Sequence, residues 1–424
     1  MTPTVAALPP EQALFVLAAR LVLFPKDRMD IEYLLSRELN WPLIKKRSTT
    51  LGISSLLYKH ICDNKYKSLI PGDIWEYLDE EYRRISIKNI RNYSQLSKII
   101  AQTGQSGISL IGLKGIFLAN YLYKDIGLRQ MEDMDLLCRT SDLSTICHIL
   151  LNMGYHQKQI VFQSKIHEQI FIEKNEHLPP FSLEGYSSVE VHFKLFSHCD
   201  ASHCPDMTNI WTEAVSFDCS GQPLYALPPE DQLLHLLVHL HAHFYKSALI
   251  FPLYWFCDIH EWIHQHKNCF NWDRFLKKSR QFNMENQVSD ILGLMVTCWN
   301  TQIPASVRQY INDLNEKKGI KNEKDDRFLL ENFFRRNDQG DVEKQQRSYV
   351  QVNLEKIKTE KKIRGNMAAI YLLLNFLFPP REYLIQEHQI RNPHLVIFYH
   401  VIHPCKIFSK AFTSLVLNLK KSFY

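Results

Sequence analysis

Residues 110–139 read LIGLKGIFLANYLYKDIGLRQMEDMDLLCR, and this stretch decides the architecture. One apolar run, 108–113, ends at Lys114-Gly115; a helix-period segment follows over 115–123, and a second apolar run, 134–138, comes after Arg129. Short apolar runs separated by helical segments predict strands alternating with helices, which calls for a sheet rather than a bundle. The second strand carries Asp133 and Asp135. Alternation along a strand points residues i and i+2 to one side, so these two carboxylates sit together. Like charges that close repel, and a fold keeps both ionised most readily when a divalent cation lies between them.

Working outward, the runs 160–162, 170–172 and 189–193 are also strand-like, and 142–153 is helical. Upstream, from Pro10 to about Gln102, apolar residues recur at spacings of three and four, as in Leu14, Leu17 and Leu21, which predicts an all-helical lead-in. Within it, 13–24 reads as an amphipathic helix interrupted by Arg20. After Pro205 the helical period returns and is expected to stay. Leu227-Pro-Pro-Glu-Asp opens a helix with proline and acids in its first turn, and Leu233, Leu234, Leu237 and Leu240 form its apolar face. The charged stretch 319–359 reads as an exposed loop followed by a solvated helix. The expected fold class is therefore α+β, in three units: an N-terminal helical unit over 1–102, a mixed-sheet core over 103–205 and a C-terminal helical domain over 206–424.

A chain of 424 residues with 45% hydrophobic content exceeds the usual size of one core and has ample material for two or three. Fifty Lys and Arg against 45 Asp and Glu leave a net charge of +5, which permits a nucleotide or nucleic-acid partner without demanding one. Ten cysteines without repeated spacing point to reduced thiols and a cytoplasmic location. Nowhere do about 18 uncharged apolar residues run together, so no membrane span is expected.

If Asp133 and Asp135 hold Mg²⁺, or Mn²⁺ in its place, the ion seeks phosphate oxygens as further ligands, and phosphoryl or nucleotidyl transfer follows. Such chemistry is mostly positioning and charge stabilisation, so cations belong beside the acids; Lys114 and Arg129 are the candidates. Gly115, opening a helix after a strand, would let backbone N–H groups approach a phosphate. A third acid is wanted, and Glu190 supplies it: in Ser188-Val-Glu-Val-His-Phe, Glu190 and His192 share one face while Val189, Val191 and Phe193 face the core. His235 and His239 fall at i, i+4 on one helix face, but Leu236 stands where a metalloprotease helix has Glu. They read as polar positions on the helix closing the active-site cleft.

Leu-Lys-Gly, then Leu-Tyr, then Arg-x-x-x-Asp-x-Asp-Leu-Leu, then Val-Glu-Val-His resembles the uncharacterised bacterial nucleotidyltransferase family 5, within the DNA polymerase beta-type nucleotidyltransferase superfamily. The abortive-infection nucleotidyltransferase toxins are a more distant likeness. The resemblance implies a polymerase-beta-like core in which Lys114 and Gly115 match the phosphate loop and Arg129 the basic residue before the acids. It further implies that Asp133 and Asp135 match the metal pair, Glu190 the third catalytic acid and His192 the histidine after it. Asp258, in Trp255-Phe-Cys-Asp-Ile, falls at a recurrent family position; it either lines the acceptor side or pairs within the helical unit. The superfamily's usual Gly-Ser is here Lys114-Gly115, so a charged contact replaces a hydroxyl one. The implied activity is Mg²⁺-dependent transfer of NMP from an NTP, ATP among the candidates, to a hydroxyl or phosphate on a small molecule, peptide or protein. The alternatives are a toxin-like enzyme modifying tRNA and a non-catalytic nucleotide-binding or scaffold descendant.

Overall fold

The computed structural model describes residues 1–157, 172, 175–196, 207–219, 221–246 and 252–317, with short pieces at 329–331, 333–334, 373–374, 377–378, 384 and 395–406. The chain divides into two compact units, residues 1–158 with 176–341 and residues 159–175 with 342–424. In the second, Leu384 and Val396 bury against Tyr399. Everything below concerns the first.

The helical lead-in is present as α1 (Pro3–Ala6), α2 (Pro10–Ala18), α3 (Pro25–Leu35), α4 (Trp41–Thr50) and α5 (Ser54–Asp63), followed by the 34-residue α6 (Gly72–Gln105). Helix α2 departs from the expected amphipathic form. All of Ala13 to Ala18 are buried, and the helix stops before Arg20, which pairs with Asp27 and donates from Nη2 to the Trp299 carbonyl at 3.0 Å. Long helix α6 buries Ile74, Leu78, Ile85, Leu96, Ile99 and Ile100 at helical spacing, with Asn89 and Asn92 on the same buried stripe.

Then come β1 (Ile111–Gly112), α7 (Lys114–Tyr121), β2 (Asp133–Leu137), α8 (Leu143–Asn152), β3 (His156–Gln157), β4 (Phe181–Ser182) and β5 (Ser188–His192). Each apolar run expected to be a strand around the acids is one, although β1 is shorter than its run. The segments 160–162 and 170–171 lie outside the described residues, and Ile172 is helical.

Beyond Pro205 the reading needs correction. After α9 (Met207–Glu213), β6 (Val215–Cys219) and β7 (Gln222–Ala226) form an antiparallel hairpin before the helices resume. Gly221, at φ +80°, makes the turn, and alternation buries Leu224 and Ala226. The sheet is seven-stranded and mixed, in the order β3-β4-β5-β2-β1-β7-β6, and so draws two strands from past residue 205. One face, with Met134, Leu136, Val189, Val191 and Leu224, shares a core with Leu96 and Ile99 of α6 and Ile146 and Leu150 of α8. The other, with Ile111 and Leu137, joins a larger core with the helices that follow: α10 (Pro229–Lys246), α11 (Tyr254–His266), α12 (Trp272–Gln281), α13 (Glu285–Trp299) and α14 (Ala305–Lys317). Helix α10 opens at the Pro229-Glu-Asp signal as expected. The charged stretch 319–359 lies almost entirely outside the described residues, but Leu330, Phe333 and Phe334 within it are buried, so that part is not a solvated face.

Two histidines of the helical layers make a stability prediction. Burial, with Lys59 adding to it, lowers His60 to about 4, and burial, with Arg20 adding to it, lowers His260 to about 3. Both pKa values fall below the ordinary histidine value of the unfolded chain, so between the two values the unfolded state binds more protons. Stability is therefore complete above about pH 6.5 and is lost on acidification, by about 2 kcal/mol per histidine by pH 5. Urea denaturation at pH 7.5 and pH 5, with His60→Gln flattening part of the difference, checks this.

Candidate active site

Strands β2 and β5 run parallel and in register, Asp133 opposite Ser188, Asp135 opposite Glu190 and Leu137 opposite His192. Register partners in a sheet point to one side, so Asp133, Asp135, Glu190 and His192 share a face while Met134, Val189 and Val191 fill the core beneath it. The sequence reading named these faces correctly. It did not foresee that His192 would be as deeply buried as the valines.

The side chains converge on Asp135. Its Oδ1 accepts from the Lys114 ammonium at 2.8 Å and lies 2.9 Å from His192 Nε2, and His192 Nε2 is 3.7 Å from Glu190 Oε2. Single ligand atoms from Asp135, Glu190 and His192 all lie within 4.8 Å of one another. Asp133 stands beside this trio, close enough for the Asp135 charge to raise its pKa. Among the described residues the tightest donor set thus contains His192 where the sequence reading placed Asp133.

Electrostatics separates the paired aspartates. Burial opposes ionisation of Asp135, yet the Lys114 ammonium and the His192 bond outweigh it and hold its pKa well below the carboxylate range. Asp133 has no such partner; burial and then the Asp135 charge push it up to about 7. Burial likewise opposes the charge on Lys114, but Asp135, Asp133 and Glu190 together hold it protonated. Among the described residues the site clusters three carboxyls with the Lys114 ammonium and with His192, whose pKa the Asp135 and Glu190 bonds raise against burial, a charge balance that an added divalent cation would improve.

Lys114 reaches the acids from the β1–α7 junction. The Leu113 N–H donates to the Asp135 carbonyl at 3.0 Å, and at Lys114 the chain turns through φ +45°. A non-glycine residue in the left-handed region costs on the order of 1 kcal/mol. Here the ion pair with Asp135 offsets it. At Gly115 a Cβ would lie 2.5 Å from Arg129 Nη1 and 3.0 Å from Met131 Cγ, so the glycine makes room for the Arg129 guanidinium. Gly115→Ala is expected to destabilise the chain by about 1–3 kcal/mol through overpacking, read as a shift in denaturation midpoint.

Arg129 is not placed at the acids. Its guanidinium is buried against Asp258 of α11, with Nη2 to Oδ2 at 2.7 Å and Nε to Oδ1 at 3.0 Å, and lies 4.7 Å from the centre of the Tyr254 ring. Tyr123 donates to the same Asp258 oxygen at 2.8 Å. Arg129 gives its Nε and one Nη2 donor to Asp258 and so anchors the chain leading into β2. Asp258 thus pairs with an arginine of the sheet region rather than within the helical unit, as one of its two readings had it.

Three residues escaped the sequence reading. His177 bridges to His192, sits with its ring 4.9 Å from that ring and places Nε2 3.8 Å from Glu190 Oε2. Nothing local marks it. Asn89 donates to the carbonyls of Ile126 and Arg129 at 2.5 and 2.8 Å, and Asn92 exchanges bonds with Ser187, donating to Oγ at 2.9 Å and accepting from N–H at 3.0 Å. Two asparagines three apart inside an apolar helical stripe are a readable signal, because a buried amide needs partners. Asn92→Ala should cost about 1–3 kcal/mol by leaving the Ser187 N–H unpaired, measurable by the same denaturation.

A mixed sheet presents clustered acids beside a strand-to-helix lysine, a donor set that would suit a metal ion. The family described as "Uncharacterised nucleotidyltransferase" matches residues 5–300, and the chain belongs to that nucleotidyltransferase family. No curated relative matches it. A solved structure, the solution structure of the antibiotic-resistance factor ANT(2'')-Ia, aligns with 47% of this chain and 96% of its own at 9% identity and a TM-score of 0.32. That likeness is too slight to carry an argument. Among the described residues, no helix is long and apolar enough to cross a membrane.

Proposed function

We propose that this protein transfers NMP from a nucleoside triphosphate to a hydroxyl or phosphate acceptor, using a polymerase-beta-like core with Mg²⁺ held by Asp133, Asp135 and Glu190. The observation that carries the reading is the convergence of Asp135, Glu190 and His192 ligand atoms within 4.8 Å, with Asp133 beside them, in a chain of this family. Carboxylate oxygens are the donors Mg²⁺ prefers, and Mn²⁺ accepts the same set together with an imidazole. When bound, the ion supplies charge neutralisation at the reacting phosphate.

The chain's own groups do the rest. Lys114, held protonated among the acids, is the cation placed to meet the triphosphate once a divalent ion shares its carboxylates. His192 donates to Asp135 and fixes its orientation, the role that an outer hydrogen bond commonly plays for a ligating carboxylate. Glu190 stands ready to take the proton of an acceptor hydroxyl as the oxygen–phosphorus bond forms and pyrophosphate leaves. Asn89, Asn92 and the Arg129–Asp258 pair hold the entries to β2 and β5 in place.

Incubating the protein with each NTP, Mg²⁺ or Mn²⁺ and a cell extract that includes tRNA, followed by mass spectrometry, tests the reading. The expected result is an acceptor heavier by one NMP with matching pyrophosphate, abolished by EDTA. The reading fails if no pyrophosphate appears above blank and calorimetry detects no Mg²⁺-dependent NTP binding.

A further inference from the structure

Helix α10 places His235, His239 and His243 at i, i+4 and i+8, in one row on one face. Ring centroids are 6.3 Å apart for the first pair and 4.7 Å for the second, and Trp255 of α11 meets His239 and His243 edge-on at 4.5 and 4.9 Å. His235, 3% exposed, packs against the Phe196 ring at 6.0 Å. His239 and His243 are half-buried, so the row opens outward from His235.

The anomaly lies in its hydrogen bonding. Both ring nitrogens of His235 and Nε2 of His239 are buried without a partner, as is Nδ1 of His192 in the acid cluster. The Leu195 carbonyl faces His235 but makes no bond of normal geometry. Each unpaired buried polar atom costs about 1–3 kcal/mol, and a run of them beside a reaction centre calls for a molecule that satisfies them.

The character of the row restricts that molecule. Burial, and after it the Lys114 charge, lowers all three pKa values, His235 to about 3, so the rings are neutral and each offers one N–H and one lone pair. A hydroxyl both donates and accepts and matches such a surface. An ammonium only donates and a phosphate only accepts; Lys114 repels the first, and neutral rings cannot balance the second. A metal ion is disfavoured because, among the described residues, no three ligand atoms of this row converge as those of Asp135, Glu190 and His192 do. Among the described residues Lys114 acts electrostatically on all three rings, Asp135 on His235 and His239, and His192 on His235, so the inner end of the row lies within electrostatic reach of the acid cluster.

We propose that the His235–His239–His243 row is the acceptor subsite and takes an uncharged, polyhydroxylated molecule of the sugar or cyclitol class. Resting on the nucleotidyl-transfer reading, this gives that reaction its acceptor. Imidazoles hold the neighbouring hydroxyls and direct one toward Asp135 and Glu190; its oxygen bonds to the α-phosphorus, the α–β bridging bond breaks, pyrophosphate leaves and the hydroxyl proton passes to Glu190.

Ligand-observed saturation-transfer NMR on the full chain tests the subsite without requiring turnover. The probes are glucose, galactose, ribose and myo-inositol, with glucosamine and glucose 6-phosphate as charged counterparts, each run with and without Mg²⁺ and a non-hydrolysable NTP. At least one neutral probe should bind, and more tightly than its charged counterparts. His239→Leu should weaken it about tenfold or more, while His239→Asn, which keeps a donor and an acceptor, stays within about threefold. His243→Leu at the outer end repeats the test if His239→Leu does not fold. Absence of binding by every neutral probe, equal binding of the charged ones, or indifference to the leucine variants would overturn the subsite. Mg²⁺-dependent NTP binding, measured separately by calorimetry, reports on the transfer reading alone.

Discussion

Asp135→Asn is expected to lower NMP transfer by about a hundredfold to a thousandfold while leaving the chain folded. The activity loss follows from position: among the described residues Asp135 is the one carboxylate hydrogen-bonded to both Lys114 and His192, and it belongs to the tight donor trio with Glu190. Survival of the fold follows from the charge count. Removing one negative charge leaves Lys114 with Asp133 and Glu190 nearby, and Asp133, relieved of the Asp135 charge that helps raise its pKa, ionises and takes over the ammonium. Asparagine keeps an oxygen for His192. Pyrophosphate release and thermal denaturation, measured on the same preparation, separate the two effects. A folded variant with undiminished transfer would sink the assignment of the metal centre.

The acid site was legible because its information is local. Strand alternation places Asp133 with Asp135 and Glu190 with His192, and the parallel register of β2 with β5 then joins the two pairs. The register itself is not written in either strand, yet any pairing that kept both apolar sets in the core would bring the acids to one face. Arg129 shows where this reasoning stops. Its proximity in sequence to Asp133 suggested a shared site, but its partner is Asp258, 129 positions away, and the pairing depends on how α11 packs on the sheet. His177 is hidden for the same reason, reaching Glu190 across a single bridge from a segment without periodic pattern. The β6–β7 hairpin was missed for another. Val215–Cys219 alternates, but on β6 only Cys219 is buried, so the strand lacks the apolar contrast by which the others were recognised.

Loss of Asp258 should be the costliest single change to stability, about 3–5 kcal/mol, because it leaves the buried Arg129 guanidinium without its counter-ion and the Tyr123 hydroxyl without its acceptor. Taking both charges out together is expected to cost less, since two apolar side chains of similar volume need no desolvation of ions. Denaturant titrations of Asp258→Leu, Arg129→Met and the double variant form a cycle in which the coupling should reach about 2–3 kcal/mol. The same variants decide what Arg129 is for. As an anchor it fixes the chain whose Arg129 carbonyl is held by Asn89, just before Asp133 begins β2. Arg129→Met, assayed well below its lowered melting temperature, should therefore bind NTP with nearly unchanged affinity and lose rate in proportion to how far β2 has loosened. A large loss of NTP affinity with stability intact would instead place the guanidinium on phosphate, as the spacing in the sequence first suggested.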